Sequence, residues 1–223
     1  MAPPSSSSPV WSPYKDPDPP KTTLVNSFKE LLASGKGSDF TITCRGQTFN
    51  VHKVIVCSRS DFFTVACWGD FKETESNRID LPGDHPTIIN KMLDYLYTLD
   101  YIDDRVATSP FMNLTVHVLV YGTADKYSIA GLKDLAIEKM EDSLSFFGHL
   151  TTANGTQELL TAIKFAWTTT PASDKGMRGP ILKHCKEWLD LLLEMEAFKT
   201  AMVEIPDMAY DFLAQEVKDR FRR

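Results

Sequence analysis

His52, Cys57, Arg59 and Asp61 fall within ten positions in "VHKVIVCSRSDFF", the stretch from Val51 to Phe63. An imidazole, a thiol, a guanidinium and a carboxylate are the parts of a cysteine nucleophile with its base. Such a nucleophile needs a thiolate, stabilised by a nearby base or by the amides of a helix N-terminus. Cys57 instead comes near the C-terminal end of a predicted short helix, where the dipole is negative and opposes ionisation. His52 lies five residues earlier, beyond one helical turn and off the same face. A phosphatase-type loop places a glycine-containing run and then an arginine six positions after its cysteine; Arg59 follows Cys57 by two, with no glycine between. The stretch therefore reads as packing. Val51, Val54, Ile55, Phe62 and Phe63 are expected in the core, with Ser58 and Ser60 as hydrogen-bonding groups at helix ends.

The rest of the chain offers no better reaction. Cys44, Cys57, Cys67 and Cys185 form no CxxC pair and no His/Cys ladder, which argues against zinc. "GTADK" lacks the strand, glycine loop and lysine of a phosphate cradle. The histidines stand apart from one another, and His85 before Pro86 reads as a helix-start residue. The expectation is a protein that is not an enzyme, with no cofactor, no metal and no small-molecule substrate.

Composition bounds the partners. The chain has 223 residues, 43% of them apolar, which is enough for one or two domains with a real core. A net charge of −6 argues against nucleic acid, because phosphate binding needs a clustered basic face. The basic run from Arg220 to Arg223 reads as a solvated helix end. No apolar leader follows the N-terminus and no run approaches 18 apolar residues, so no membrane partner is expected. The location expected is intracellular, cytoplasm or nucleus, with reduced thiols. The sequons at Asn113 and Asn154 then read as chance matches.

Residues 1–23 are dominated by proline, serine and charge and read as a disordered tail, with Val10, Trp11 and Tyr14 its only sticky points. Leu24, Val25, Phe28, Leu31 and Leu32 make one helical stripe ending near Gly35. "DFTITCRGQTFNVH" predicts a β-hairpin turning at Arg45-Gly46. Ser60 is a plausible N-cap for a helix carrying Phe62, Phe63, Val65 and Ala66. "RIDL" (Arg78 to Leu81) predicts a short strand, and Pro86 opens a helix with Ile88, Ile89, Met92, Leu93 and Leu96 on one side. Residues 100–113 read as a loop, and Leu114 to Lys126 as a helix buried on nearly all sides. A further amphipathic helix carries Ile129, Leu132, Leu135, Ala136 and Met140. After a linker come helices over Gln157–Trp167, Pro180–Leu193 and Asp207–Phe221. In the second of these, Ile181, Leu182, Cys185, Trp188, Leu189 and Leu192 form one face. The order is that of an α+β fold with a small sheet.

"SDFTITCRGQTFNVHKVIVCSRSDFF", "GDFKETESNRIDLPGDHPTIINKMLDYLYTLDY" and "VYGTADKYSIAGLKDLAIEKM" resemble a BTB/POZ domain, especially its filamentous-fungal branch. The resemblance implies a small β-sheet flanked by α-helices and a protein-interaction role. It divides the chain into a tail (1–23), a BTB/POZ domain (24–145), a linker (146–155) and an all-α extension (156–223). The sequence from Thr168 to Leu213 is similar to the helical extension of many fungal members. Asp39, His52 and Lys53 match the family's polar group beneath the sheet, which implies either a charged pocket for a peptide or a satisfied structural network. Phe71-Lys72-Glu73 resembles the apolar-x-Glu pattern of cullin-binding adaptors; Phe71 would be an exposed anchor, or would tuck back onto the domain. In dimeric members the first helix packs against its twin, so Leu24, Phe28, Leu31 and Leu32 are candidates for a homodimer interface or for the monomer's own core. The proline-rich tail departs from members that swap an N-terminal strand. The function expected is an interaction adaptor, with a cullin-class ubiquitin-ligase scaffold as one partner; the competing reading is a transcriptional or structural scaffold without a ligase role.

Overall fold

The computed structural model describes residues 19–70, 72–102, 114–145 and 153–221. Helix α1 (Pro19–Ser34) leads into a hairpin of β1 (Phe40–Cys44) and β2 (Gln47–Val51). Helix α1 thus begins five residues before the expected Leu24. Composition assigns Pro19 and Pro20 to the tail, but proline suits the first turn of a helix, where its missing N–H would have no partner. Residues 1–18, with Val10, Trp11 and Tyr14, lie outside the described residues.

β1 pairs antiparallel with β2, Phe40 opposite Val51 and Cys44 opposite Gln47. Arg45 and Gly46 both have positive φ, 46° and 84°, which is what a two-residue turn needs to match the twist of its strands. On its other side β1 pairs in parallel with β3 (Arg78–Asp80), Ile42 opposite Ile79, giving the order β2-β1-β3. Phe40, Ile42 and Cys44 point into the core, as the alternation predicts. Thr43 is also buried; its hydroxyl donates to the Asp80 carboxylate at 2.7 Å, locking β3 onto β1.

Between β2 and β3 lie the one-turn helix α2 (Lys53–Val56), a 3-10 turn (Cys57–Arg59), α3 (Asp61–Trp68) and α4 (Lys72–Ser76). Ser60 caps α3 as expected, its Oγ accepting from the Phe63 amide at 3.2 Å. Then come α5 (Pro86–Thr98), α6 (Leu114–Lys126) and α7 (Ala130–Ser145). α6 is the axis of the molecule, packed against α5, α7 and α8 (Ala153–Thr169).

Four more helices follow: α9 (Arg178–Glu187), α10 (Leu189–Leu193), α11 (Glu196–Glu204) and α12 (Pro206–Arg220). The single helix expected over Pro180–Leu193 is two, broken at Trp188 (φ −116°, ψ 17°). Its apolar face survives the break: Ile181, Leu182, Cys185 and Leu192 are buried, Trp188 and Leu189 half-buried. Helix α8 starts at Ala153 rather than Gln157, because Gly155 falls in its first turn instead of ending a linker. The buried side chains form one cluster from Phe40 of β1 to Met208 of α12.

Polar latches fasten the late helices to the early ones. The Tyr121 hydroxyl of α6 donates to Asp174 Oδ1 at 2.6 Å, and the Lys133 ammonium of α7 reaches Asp174 Oδ2 at 3.0 Å. Gly176 lies so close that a Cβ there would overlap the Tyr121 hydroxyl. Within the late helices, Arg178 is 1% exposed. Its Nη2 donates to the Thr170 carbonyl at 2.6 Å, and its Nη1 lies 3.5 Å from Asp211 of α12.

Burial pushes the Asp174 carboxyl up, but hydrogen bonds from Tyr121, Gly176 and Lys133, with the Lys133 charge, outweigh it and hold it below its ordinary value. A carboxyl depressed in the folded state contributes stability that is complete above the unfolded value, about 3.9, and is lost as pH falls through the folded one. We expect Asp174→Asn to cost ~1–2 kcal/mol near neutral pH. The gap in urea midpoint between wild type and variant should narrow below about pH 4. A gap that stays constant into acid contradicts the latch.

Candidate functional site

His52 sits where β2 ends and α2 begins, and all of its polar groups are engaged. Its Nε2 lies 2.9 Å from the Lys36 carbonyl, an acceptor only, so Nε2 carries the hydrogen. Nδ1 therefore accepts from the Tyr97 hydroxyl, at 2.7 Å, while the same hydroxyl accepts the His52 backbone N–H at 2.8 Å. Burial pushes the Tyr97 phenol up to about 12, so it stays a donor. The α1–β1 turn, the strand end and α5 meet on this one side chain.

Asp39 and Lys53 complete the junction by a different route. His52 offers α2 no side-chain cap; Asp39 Oδ1, fourteen residues before Lys53, accepts the Lys53 backbone N–H at 2.7 Å. The Lys53 ammonium turns away to Asn77 Oδ1, at 2.5 Å, and lies 4.9 Å from the centre of the Trp68 ring. Asn77 has φ 50° and its carbonyl accepts the Thr41 N–H at 2.9 Å, so the contact ties α2 to the entry of β3. The three residues singled out in the sequence are thus neighbours. Asp39 holds Lys53 through its backbone amide, while the other two side chains find partners outside the trio: Tyr97 and Lys36 for His52, Asn77 for Lys53.

The opening cysteine is not brought to a base. Cys57 donates weakly to the Phe63 carbonyl at 3.4 Å, and burial pushes its thiol up. Burial and the neighbouring Cys57 thiol push Cys67 up to about 12. Arg59 Nη1 donates to the Leu96 carbonyl at 2.7 Å, at the end of α5. Ser60 donates to the Tyr127 carbonyl at 2.6 Å. A serine-histidine pair that the sequence did not signal exists elsewhere: Tyr101 OH lies 2.8 Å from His117 Nδ1, and His117 Nε2 lies 3.2 Å from Ser143 Oγ. Those residues are 1%, 0% and 4% exposed, so the serine is sealed inside the core. Among the described residues no three His, Cys, Asp or Glu side chains gather to hold a metal. No helix among them is long and apolar enough to cross a membrane.

The apolar surface lies outside these polar groups. Val54, expected in the core, is 76% exposed, since α2 has a single turn and turns Lys53 and Val56 inward instead. On α3, Val65 is 54% exposed and Trp68 is 63% exposed. Glu73 of α4 is half-buried and Lys72 exposed; Phe71 lies outside the described residues. Thr74 ties α4 to α3, donating to the Gly69 carbonyl at 2.5 Å. On α1, Phe28, Leu31 and Leu32 pack partly buried against the core and Leu24 stands exposed.

These features fit the family whose sequence pattern matches. The BTB/POZ domain family model covers residues 28–144, just over half of the chain, and the chain belongs to that family. Its members mediate protein–protein contacts and dimerisation. The chain is 30% identical over 121 residues to BTB/POZ and MATH domain-containing protein 3 of Arabidopsis thaliana, covering 52% of this chain and 29% of that one. It is 25% identical over 142 residues to BTB/POZ and MATH domain-containing protein 4 of the same plant, covering 56% and 30%. The matches thus take in under a third of those relatives' length. The BTB domain of zebrafish PATZ1 aligns over 58% of this chain and 98% of its own, at 13% identity and a TM-score of 0.42.

Two measurements test the site. Tyr97→Phe removes the hydroxyl that serves both His52 groups, and should cost about 1–3 kcal/mol in urea unfolding; a loss below about 0.5 kcal/mol contradicts the junction. Native Cys57 should react with iodoacetamide near pH 7.5 roughly tenfold more slowly than free cysteine. Faster labelling than free cysteine would point to an activated thiol.

Proposed function

We propose that the chain is a non-enzymatic, intracellular adaptor that works by presenting surfaces to other proteins. Residues 24–145, with α1 extending back to Pro19, would act as the BTB/POZ domain and 156–223, with α8 extending back to Ala153, as a helical extension of the filamentous-fungal type. In this reading Asp39, His52 and Lys53 are a structural network, because each has its own internal partner and His52 and Lys53 are only 8% exposed.

The observation that carries the adaptor reading is the exposed apolar set on α2 and α3. Val54, Val65 and Trp68 lie on packed elements that lead straight into Phe71-Lys72-Glu73. The exposed Trp68, five residues before Glu73, suits a partner helix that offers an apolar residue and a basic one. We assign this face to a cullin-class ubiquitin-ligase scaffold, following the apolar-x-Glu resemblance. The first helix would pair with its twin in a homodimer, led by Leu24, with Phe28, Leu31 and Leu32 shared between the interface and the monomer's core.

Affinity capture of the full chain with the N-terminal region of a cullin-class scaffold should retain it, and Trp68→Ala with Glu73→Ala should weaken capture by about tenfold or more. Capture that fails with the folded wild type removes the ligase assignment. It would favour the scaffold reading, in which the same exposed set holds a regulator.

A further inference from the structure

The last helix is held in one rotation and turns an apolar stripe to solvent. On its inner side Met208 and Asp211 are buried. Asp211 accepts from Lys175 at 2.6 Å and Trp167 at 3.2 Å, and faces Arg178 at 3.5 Å. That clamp fixes which side of α12 faces out. The outward side carries Tyr210, Leu213, Val217 and Phe221, at steps of three, four and four residues, exposed by 71%, 67%, 52% and 88%. Glu216, at the stripe's other border, is turned aside by Lys186 at 2.9 Å. A stripe of this size, with large side chains in a row, is more than scattered surface hydrophobicity.

The charges beside the stripe point to what covers it. Asp207 and Lys218 are both exposed and lie eleven residues apart, three helical turns within about 20°, so they share one flank. When two such helices pair antiparallel, the same flank of each faces the other; when they pair parallel, opposite flanks meet. Antiparallel pairing therefore sets Asp207 of each copy against Lys218 of the other, with Leu213 near the two-fold axis. The midpoint between the two charges falls beside Leu213, toward the N-terminal end of the stripe, and reversal of sign about one point is the pattern a two-fold contact between identical surfaces requires. The helix dipoles also oppose in that arrangement.

We propose that the outward face of α12 is a self-association surface, pairing antiparallel with α12 of a second copy through Tyr210, Leu213 and Val217, centred beside Leu213, and two Asp207–Lys218 contacts. It is independent of the α1 pairing. Together the two contacts would build assemblies larger than a dimer.

The test uses the full chain in a Leu24→Lys background, which bears on α1 alone and keeps the two contacts separable. Sedimentation equilibrium should show a dimer whose dissociation constant rises about a hundredfold in Leu213→Glu. Asp207→Lys and Lys218→Asp should each weaken it roughly tenfold, since each sets like charges against one another. An equimolar mixture of those two variants should recover wild-type affinity, as should the double swap Asp207→Lys with Lys218→Asp. A Leu24→Lys chain that remains monomeric up to about 100 μM overturns the proposal. So does a mixture no tighter than its components, which would mean the charges are not opposed.

Discussion

The structure depends on the closed hydrogen-bond cycle at His52. One tyrosine hydroxyl serves a backbone amide and a ring nitrogen, and the other ring nitrogen serves the turn after α1. A buried polar group left unpaired costs more than a typical hydrogen bond gains, so the register of this junction is set by the need to satisfy every group at once. With His52 placed, β2 must end at Val51 and α2 must begin at Lys53. Asp39 then closes the helix start from the neighbouring strand at the same end of the hairpin. The sheet is only three strands and cannot hold its helices by area alone; the junction supplies the direction that burial lacks.

Where the late helices join, a buried ion pair takes this part, with Arg178 Nη1 facing Asp211 but making no hydrogen bond. Arg178 and Asp211 are charges taken out of water, and each is surrounded by donors, acceptors or an opposite charge. Such pairs add little net stability but are intolerant of misplacement, so they set the rotation of α12 and hence which residues it shows. Polar groups that could have done chemistry are engaged elsewhere: His117 and Ser143 in the core, Cys57 against a carbonyl, and the exposed Arg59 on the end of α5. The large apolar side chains left outside, on α2–α3 and on α12, are where partners can act.

Much of this was legible in the sequence where a local rule applies. Arg45-Gly46 specifies a turn of positive φ, Ser60 a cap and Pro86 a first helical turn, and all three stand where periodicity placed them. Local rules failed in short elements. Helix α2 is one turn, too short for a period to show, so Val54 read as core and is solvent-exposed. Helix α4 carries no apolar residue to announce itself, helix α11 is short although Phe198, Ala201 and Met202 stand at helical spacing, and the break at Trp188 lies inside an uninterrupted apolar face. The composition of 1–23 masked a helix start whose prolines belong to its first turn. At the site, the identities of Asp39, His52 and Lys53 were readable from family resemblance, but their partners were not. Tyr97 lies 45 residues from His52 and Asn77 lies 24 from Lys53, separations that only the folded topology closes.

The central claim is that the polar residues at the hairpin junction are spent on structure and that function resides in the surfaces they position. Long-range proton–nitrogen NMR of the His52 ring tests it most directly. The account predicts a single tautomer with hydrogen on Nε2, its signal unchanged when a partner binds the α2–α3 face. A ring with hydrogen on Nδ1, or one that changes tautomer or opens to solvent on partner binding, would contradict it.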